Sequence, residues 1–397
     1  MLIFILFSTL MVRAQSLDQL YELAYERSST LKAQEMEEKA LSFDMNLRGK
    51  WQNPQLMSQV GTLKSGAVRG ATVEVSLTQA IPLSDKYSLR KEIGQAFLTI
   101  QTEQKEYFKK WIQHQVALSA WRAYFNYELL KHGQERAKRL QLIRQYARTR
   151  PTFTSKQKVD ISLIESSLLV LERMQDEKAQ MLEISLIDLE FWTGKKINPE
   201  DLKLSLEQLS TSEKNEMIFI EKDQELKLSQ LQLKQLEIDQ DLASKERRPD
   251  LFIGGGYRVE NVSPVNHFSY AIIGLNIPLW DRGVERFEAS KARFLREKKN
   301  NEEIQKKVMV KHRQQQERVK FQVSQAKRFH PKILSKFEGI ISESERGFKQ
   351  GVIDVNTFLL SETQSHEVID QVYISWMNYL TELSTYKLMR GEALTWN

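Results

Sequence analysis

From Leu17 to Lys50 apolar residues recur at spacings of three, four and seven. Leu17, Leu20, Tyr21, Ala24, Leu31 and Leu41 are separated mainly by Gln, Glu and other polar residues. This period predicts an amphipathic helix, with Ser16 as its N-cap and Asn53-Pro54 as its stop, because proline disfavours helical geometry in the residue before it. The period then changes to two. Ala71, Val73, Val75 and Leu77 alternate with Thr72, Glu74, Ser76 and Thr78, which predicts a strand with one apolar and one polar face. Gln55–Leu63 is expected to pair with it across a loop at Lys64–Gly70. A run from Tyr87 to Arg148 follows, without proline and with glycine only at Gly94 and Gly133. As a helix it would be about 90 Å long at 1.5 Å rise per residue. Its apolar stripe runs through Leu89, Ile93, Phe97, Ile100, Trp111 and Ile112, then Ala123, Tyr127 and Leu130. A break at Arg148–Thr154 contains Pro151, and a returning helix is expected over Ser155–Thr193.

The same order then recurs. Leu251, Ile253, Gly255, Tyr257 and Val259 share one face of a strand, and His267–Ile277 is its partner, apolar on both faces at Ala271-Ile272-Ile273. Tyr257, Phe268 and Tyr270 lie near the intervening loop, where an aromatic girdle would sit. Val284–Phe329 is the second long helix, Phe348–Asp354 the second turn and Val355–Met389 the second returning helix. Local identities follow this order. Ile81-Pro82-Leu83-Ser84-Asp85 returns as Ile277-Pro278-Leu279-Trp280-Asp281 at an offset of 196. Leu163-Ile164-Glu165-Ser166 aligns with Leu360-Ser361-Glu362-Thr363, and Gly194-Lys195 with Gly391-Glu392, both at 197. Such recurrence predicts two tandem structural repeats: residues 15–194, with a hairpin at about 54–81, and residues 216–397, with a hairpin at about 249–278, joined by a linker at 195–215.

Composition narrows the choice. At 41% hydrophobic and 28% charged residues, the chain has enough apolar material for a packed structure and too little for a bundle of membrane helices. The net charge of +6 is spread as Lys and Arg interleaved with Glu, Asp and Gln, so no basic patch for nucleic acid stands out. The absence of cysteine excludes disulfides, thiolate metal sites, Cys nucleophiles and an N-terminal lipid-modified Cys. Leu2–Val12 is apolar and too short to span a bilayer. Residues 1–14 therefore read as a signal peptide, with Val12 and Ala14 placed for cleavage, although no Lys or Arg precedes the apolar run. The alternative for this segment is a buried N-terminal strand.

Helices this long and polar need neighbours along their length, as in coiled coils. Strands of about ten residues suit a tilted bilayer crossing. Four strands close no barrel, and an open sheet in lipid leaves unpaired backbone groups that cost several kcal/mol each. Membrane-spanning strands would thus require two, three or four protomers sharing one barrel.

The order helix, Asn-Pro, hairpin, Ile-Pro-Leu, long helix, turn and return, given twice from about Leu17 to Gly391, resembles the TolC-like outer-membrane efflux proteins. The paired Ile-Pro-Leu at Pro82 and Pro278 and the turn Phe348-Lys349-Gln350-Gly351 carry the resemblance most strongly. It implies a mainly α fold with a small β part, assembled as a homotrimer with a shared twelve-stranded β-barrel and a periplasmic α-helical barrel. It also implies outer-membrane lipid around the barrel, and a periplasmic adaptor protein and an inner-membrane pump of RND or ABC type at the helical tips. On that reading Val73, Val75, Leu77, Ile253 and Tyr257 meet lipid, while Thr72, Glu74 and Arg258 face the lumen. Family members often carry acidic residues just after the second turn, but the matching positions here are Thr357 and Leu360. Asp354 and Glu362 lie nearby, and three copies of either would form an anionic ring; the other role for Asp354 is a helix N-cap. Pro151 and Gly351 mark the tips, and Pro151 departs from the family pattern.

No catalytic or cofactor chemistry emerges. The six histidines are dispersed with no metal-ligand spacing. Gly254-Gly255-Gly256 lacks the Gly-Lys-Ser/Thr of a phosphate loop and fits close packing or curvature within a strand. No carboxylate pair stands in an apolar setting, and no Gly-x-Ser-x-Gly is present. The expected function is a passive exit duct for small toxic solutes such as metal ions or drugs, without enzymatic activity. The alternatives are the exit channel of a type I protein-secretion system and a non-channel periplasmic coiled-coil scaffold.

Overall fold

The computed structural model describes residues 16–65, 68–149, 154–211, 222–261, 263–277 and 280–394. The expected signal peptide, Pro151 and Pro278 lie outside them. In chain order the elements are α1 (Leu17–Arg27), α2 (Ser29–Arg48), β1 (Gln55–Ser65), β2 (Val68–Pro82), α3 (Lys86–Arg148), α4 (Ser155–Thr193), α5 (Gln224–Lys245), β3 (Asp250–Asn261), β4 (Asn266–Asn276), α6 (Val284–Arg328), α7 (Leu334–Lys349) and α8 (Val355–Met389).

The chain divides into two compact units. One takes residues up to Leu31, Tyr107–Gln224 and the chain from Met309 onward; the other takes Lys32–Glu106 and Glu225–Val308. Each unit draws on both halves of the sequence, so the units cut across the sequence repeats.

The second unit holds the sheet. Its order is β1-β2-β3-β4, antiparallel throughout, with Val75 opposite Ser58 and Tyr257, and Ile253 opposite Ile273. In this unit Glu38 on α2 accepts Thr102 Oγ1 at 2.7 Å and pairs with Lys105 on α3. Gly94 allows α2 to approach α3 closely, since a Cβ there would lie 2.8 Å from Met45 Cα.

The first unit is helical, and α3 organises it. Ile112, Val116 and Ala120 pack with Leu20 and Ala24 of α1 and Leu189 of α4. Trp121 and Phe125 pack with Ile369, Val372 and Trp376 of α8. Leu140 and Ile143 pack with Ile164 and Leu168 of α4 and with Phe348 and Phe358 beside the second turn.

The returning helices have the bounds expected from the sequence, and their caps explain why. Thr154 Oγ1 accepts the Gln157 N–H at 3.3 Å, and Gly194 closes α4 in the left-handed region at φ 71°. Three features differ from expectation. The helix expected over Leu17–Lys50 breaks at Ser28, whose Oγ accepts the Leu31 N–H at 3.1 Å and starts a second helix. The second long helix ends at Arg328, within one residue of its expected bound, but a 3-10 turn at Pro331–Ile333 and the separate helix α7, for which no element was expected, follow it before the second turn. The described part of the expected linker is packed, with Ile197, Leu202 and Leu206 all buried.

Candidate channel wall and helical tips

Along β2 and β3 the sheet separates two chemistries, while Met57 on β1 and Phe268 on β4 add exposed apolar side chains to the face that carries Glu74. Val73, Val75 and Leu77 on β2 and Ile253 and Tyr257 on β3 are exposed on one face, at 41–52% of their full accessibility. Leu56 and Val60 on β1 and Ile273 and Leu275 on β4 are exposed too and sit opposite members of the same register. A two-residue side-chain period therefore puts all nine on one apolar face. On the polar face Glu74 accepts Arg258 Nε at 2.9 Å and Arg258 Nη2 at 2.7 Å, and also takes a hydrogen bond from the Tyr270 hydroxyl. Tyr270 reaches Glu74 by lying across Gly256, where a Cβ would come within 2.2 Å of its hydroxyl oxygen. The sequence pointed to close packing or curvature at the glycine run; at Gly256 the side chain that packs there is Tyr270. Pro82 is the last residue of β2, opposite Asp250. The outer edges of β1 and β4 have no strand partner among the described residues.

The second turn is built by backbone geometry. Gly351 has φ 73°, donates to Phe348 O at 3.0 Å, and is followed by Val352 donating to Gly347 O at 2.9 Å. Asp354 is the N-cap of α8: its Oδ1 accepts the Thr357 N–H at 2.8 Å, and hydrogen bonding from Thr357 holds its carboxyl below the ordinary range. Thr357 is exposed beside it. Phe348 packs against Phe358 with tilted rings 5.6 Å apart, and Tyr146 near the end of α3 donates its hydroxyl to Lys349 O at 2.6 Å.

Glu362 does not point into solvent. It is fully buried, with Arg136 Nε at 2.9 and 3.1 Å from its two oxygens. Arg136 Nη2 also donates to Thr363 Oγ1 at 3.1 Å, and Arg139 bridges His366 at 3.3 Å and Glu345 at 3.4 Å. Burial pushes the Glu362 carboxyl up against the opposing pull of Arg136. Burial, reinforced by Arg136 and Arg139, pushes the His366 imidazole down to about 3. An anionic ring from Glu362 is therefore corrected to an internal ion pair. Its counterpart by sequence match, Glu165, meets Arg148 at 2.6 Å on the surface. Arg136 was missed in the sequence. The available signal was Arg136 and Arg139, three apart on one helix, against Glu362 and His366, four apart on another.

Among the described residues no helix is long and apolar enough to cross a membrane, and no group of three or more His, Asp or Glu is arranged to hold a metal ion. No family sequence model matches the chain, and no curated protein matches it. Solved structures do. The transmembrane channel protein CusC superposes with a TM-score of 0.72 at 11% identity, over 95% of this chain and 92% of CusC. The open state of the Neisseria gonorrhoeae MtrE outer-membrane channel gives 0.72 at 14% identity, over 96% and 90%. The Campylobacter jejuni CmeC outer-membrane channel gives 0.69 at 11% identity, over 94% and 85%. Across nearly its whole length, this chain has the fold of outer-membrane channel subunits.

Proposed function

We propose that this chain is a subunit of an outer-membrane channel that extends into the periplasm and serves as the passive exit duct of a tripartite efflux system. The observation that carries the reading is the sheet: strands of 11 to 15 residues, one apolar exposed face, an opposite face that is polar along β2 and β3, and two edges open among the described residues. Open edges cannot remain in lipid, so copies of the chain complete the wall, and three copies give twelve strands. A second exposed stripe on α4, through Val159, Leu163, Val170, Ile184 and Phe191, supports contact between copies in the helical unit. The apolar face of Val73, Val75, Leu77, Ile253 and Tyr257 meets lipid, and Glu74 and Arg258 line the aqueous side. The turn at Gly351, Asp354 and Thr357 is offered to a periplasmic adaptor and, through it, to an inner-membrane pump of RND or ABC type. The cargo is small toxic solutes such as metal ions or drugs, and no covalent chemistry is performed on it.

The test is fractionation, extraction from the outer membrane in mild detergent, and measurement of oligomer mass. A membrane-extracted trimer is expected. A soluble monomer or dimer overturns the reading.

A further inference from the structure

We propose that the helix-side edge of the sheet binds the phosphate headgroups of anionic phospholipids through Arg247, Arg248 and Arg282, with Trp51 and Trp280 seated beside them. The inference rests on the sheet being a membrane wall. Antiparallel order brings the start of β1, the end of β2, the start of β3 and the end of β4 to one edge. Trp51 precedes β1 and is 57% exposed; Trp280 follows β4 and is 94% exposed. Ile277, also exposed, continues the alternation of the apolar face beyond Leu275.

The charges on this edge are unbalanced in a specific way. Asp250 is taken by Lys86 at 2.9 Å, and Glu246 is shared by Arg90 at 2.8 Å and Arg286 at 3.1 Å. Asp281 accepts the Gly283 N–H at 2.9 Å and lies 3.5 Å from Arg286, and Asp85, exposed just after β2, makes no ion pair among the described residues. Arg247, Arg248 and Arg282 remain exposed and meet no carboxylate among the described residues. The opposite edge holds Lys64 and Arg69 with Glu260, and no tryptophan. Tryptophan prefers the headgroup level of a bilayer, guanidinium groups bind phosphate oxygens in pairs, and anionic lipid attracts a basic rim. Zwitterionic lipid would satisfy the tryptophans and leave three arginines against the single carboxylate of Asp85, a net positive edge, so the occupant is an anionic glycerophospholipid.

The experiment uses the full-length protein, extracted from membranes and reconstituted into vesicles of phosphatidylcholine alone or of phosphatidylcholine mixed evenly with phosphatidylglycerol. Two readouts are taken: the preference of the protein-bound lipid shell for spin-labelled phosphatidylglycerol over phosphatidylcholine, and ion conductance, which reports insertion independently. The wild type is expected to enrich the anionic lipid about tenfold at low salt and less as salt rises. The combined Arg247→Gln, Arg248→Gln and Arg282→Gln variant should conduct normally and lose the enrichment, and the matching lysine variant should keep most of it. If the combined variant does not insert, the three single variants are compared, each expected to lose part of the enrichment. A conducting wild type that shows no lipid preference, or variants that retain it in full, overturns the proposal and leaves the membrane wall standing. Failure of the wild type to insert into either vesicle overturns the wall reading and this inference together.

Discussion

Removing Arg136 tests the helical unit more directly than any other single change. The Glu362 side chain is fully buried and that of Arg136 retains only 13% of its exposure, so Arg136→Ala leaves a carboxylate in the core with His366 3.4 Å away and Arg139 as the nearest remaining cation. Truncating one partner of a buried pair costs about 3–5 kcal/mol, and Arg139 nearby puts the expectation at about 3. The exposed pair Arg148–Glu165, with side chains 55% and 39% accessible, is the internal control, and Arg148→Ala should cost under about 0.5 kcal/mol. Replacing both partners, as Arg136→Met with Glu362→Leu, should recover most of the loss, because no unpaired charge remains. The assay is thermal unfolding of detergent-extracted protein followed by helical circular dichroism. The pH dependence has a defined sign. Burial already raises the Glu362 carboxyl above 4.5, and loss of Arg136 removes an opposing cause, raising it further. The cost falls on the charged form of the buried carboxyl, so the gap between variant and wild type should narrow as pH falls and the carboxyl takes up its proton. Equal shifts for Arg136→Ala and Arg148→Ala, or a gap independent of pH, would refute the buried-pair argument.

Val75→Arg should cost about 2–4 kcal/mol if Val75 sits at mid-membrane and abolish the detergent-stable oligomer, whereas Thr78→Arg on the polar face should be tolerated; gel mobility without boiling reads both. Gly351→Ala meets no atom within 4 Å, so its loss of about 1 kcal/mol is backbone strain at φ 73° alone, measurable as a lowered unfolding midpoint with an unchanged spectrum. Gly256→Ala should displace the Tyr270 ring from Glu74, seen as altered near-ultraviolet dichroism; an unchanged signal argues against that crossing. His366, pushed down to about 3, is neutral in the fold while an unfolded chain protonates it near 6.5, so wild-type stability should fall as pH drops through that window. His366→Gln should flatten this slope in urea titrations at several pH values.

Much of this architecture was legible locally. Val73, Val75 and Leu77 announce a two-faced strand by period alone, and Thr154 and Asp354 mark helix starts through a side-chain oxygen reaching an N–H three residues on. What was not legible depends on residues far away in the chain. Ser28 is the exception, a local cap on the Leu31 N–H hidden only because the helical period runs on through it. Glu362 reads as a solvated acid because nothing within its own helix reveals Arg136, 226 positions earlier. The division into units was hidden for the same reason: sequence repeats run along the chain, while compactness is decided across it.

The bare outer edges of β1 and β4 bear on how such a chain is made. If copies share one barrel, as proposed, each presents one edge that must be accepted by a neighbour and another that must accept one, a head-to-tail bond that terminates only when the ring closes. Until closure the subunit carries two ladders of unsatisfied amide and carbonyl groups, the same feature that templates runaway strand addition. Biogenesis would then be concentration-dependent and in competition with precipitation. A subunit with one edge blocked by proline would be worse than inactive: it would enter growing rings and stop them, poisoning wild-type copies made in the same cell.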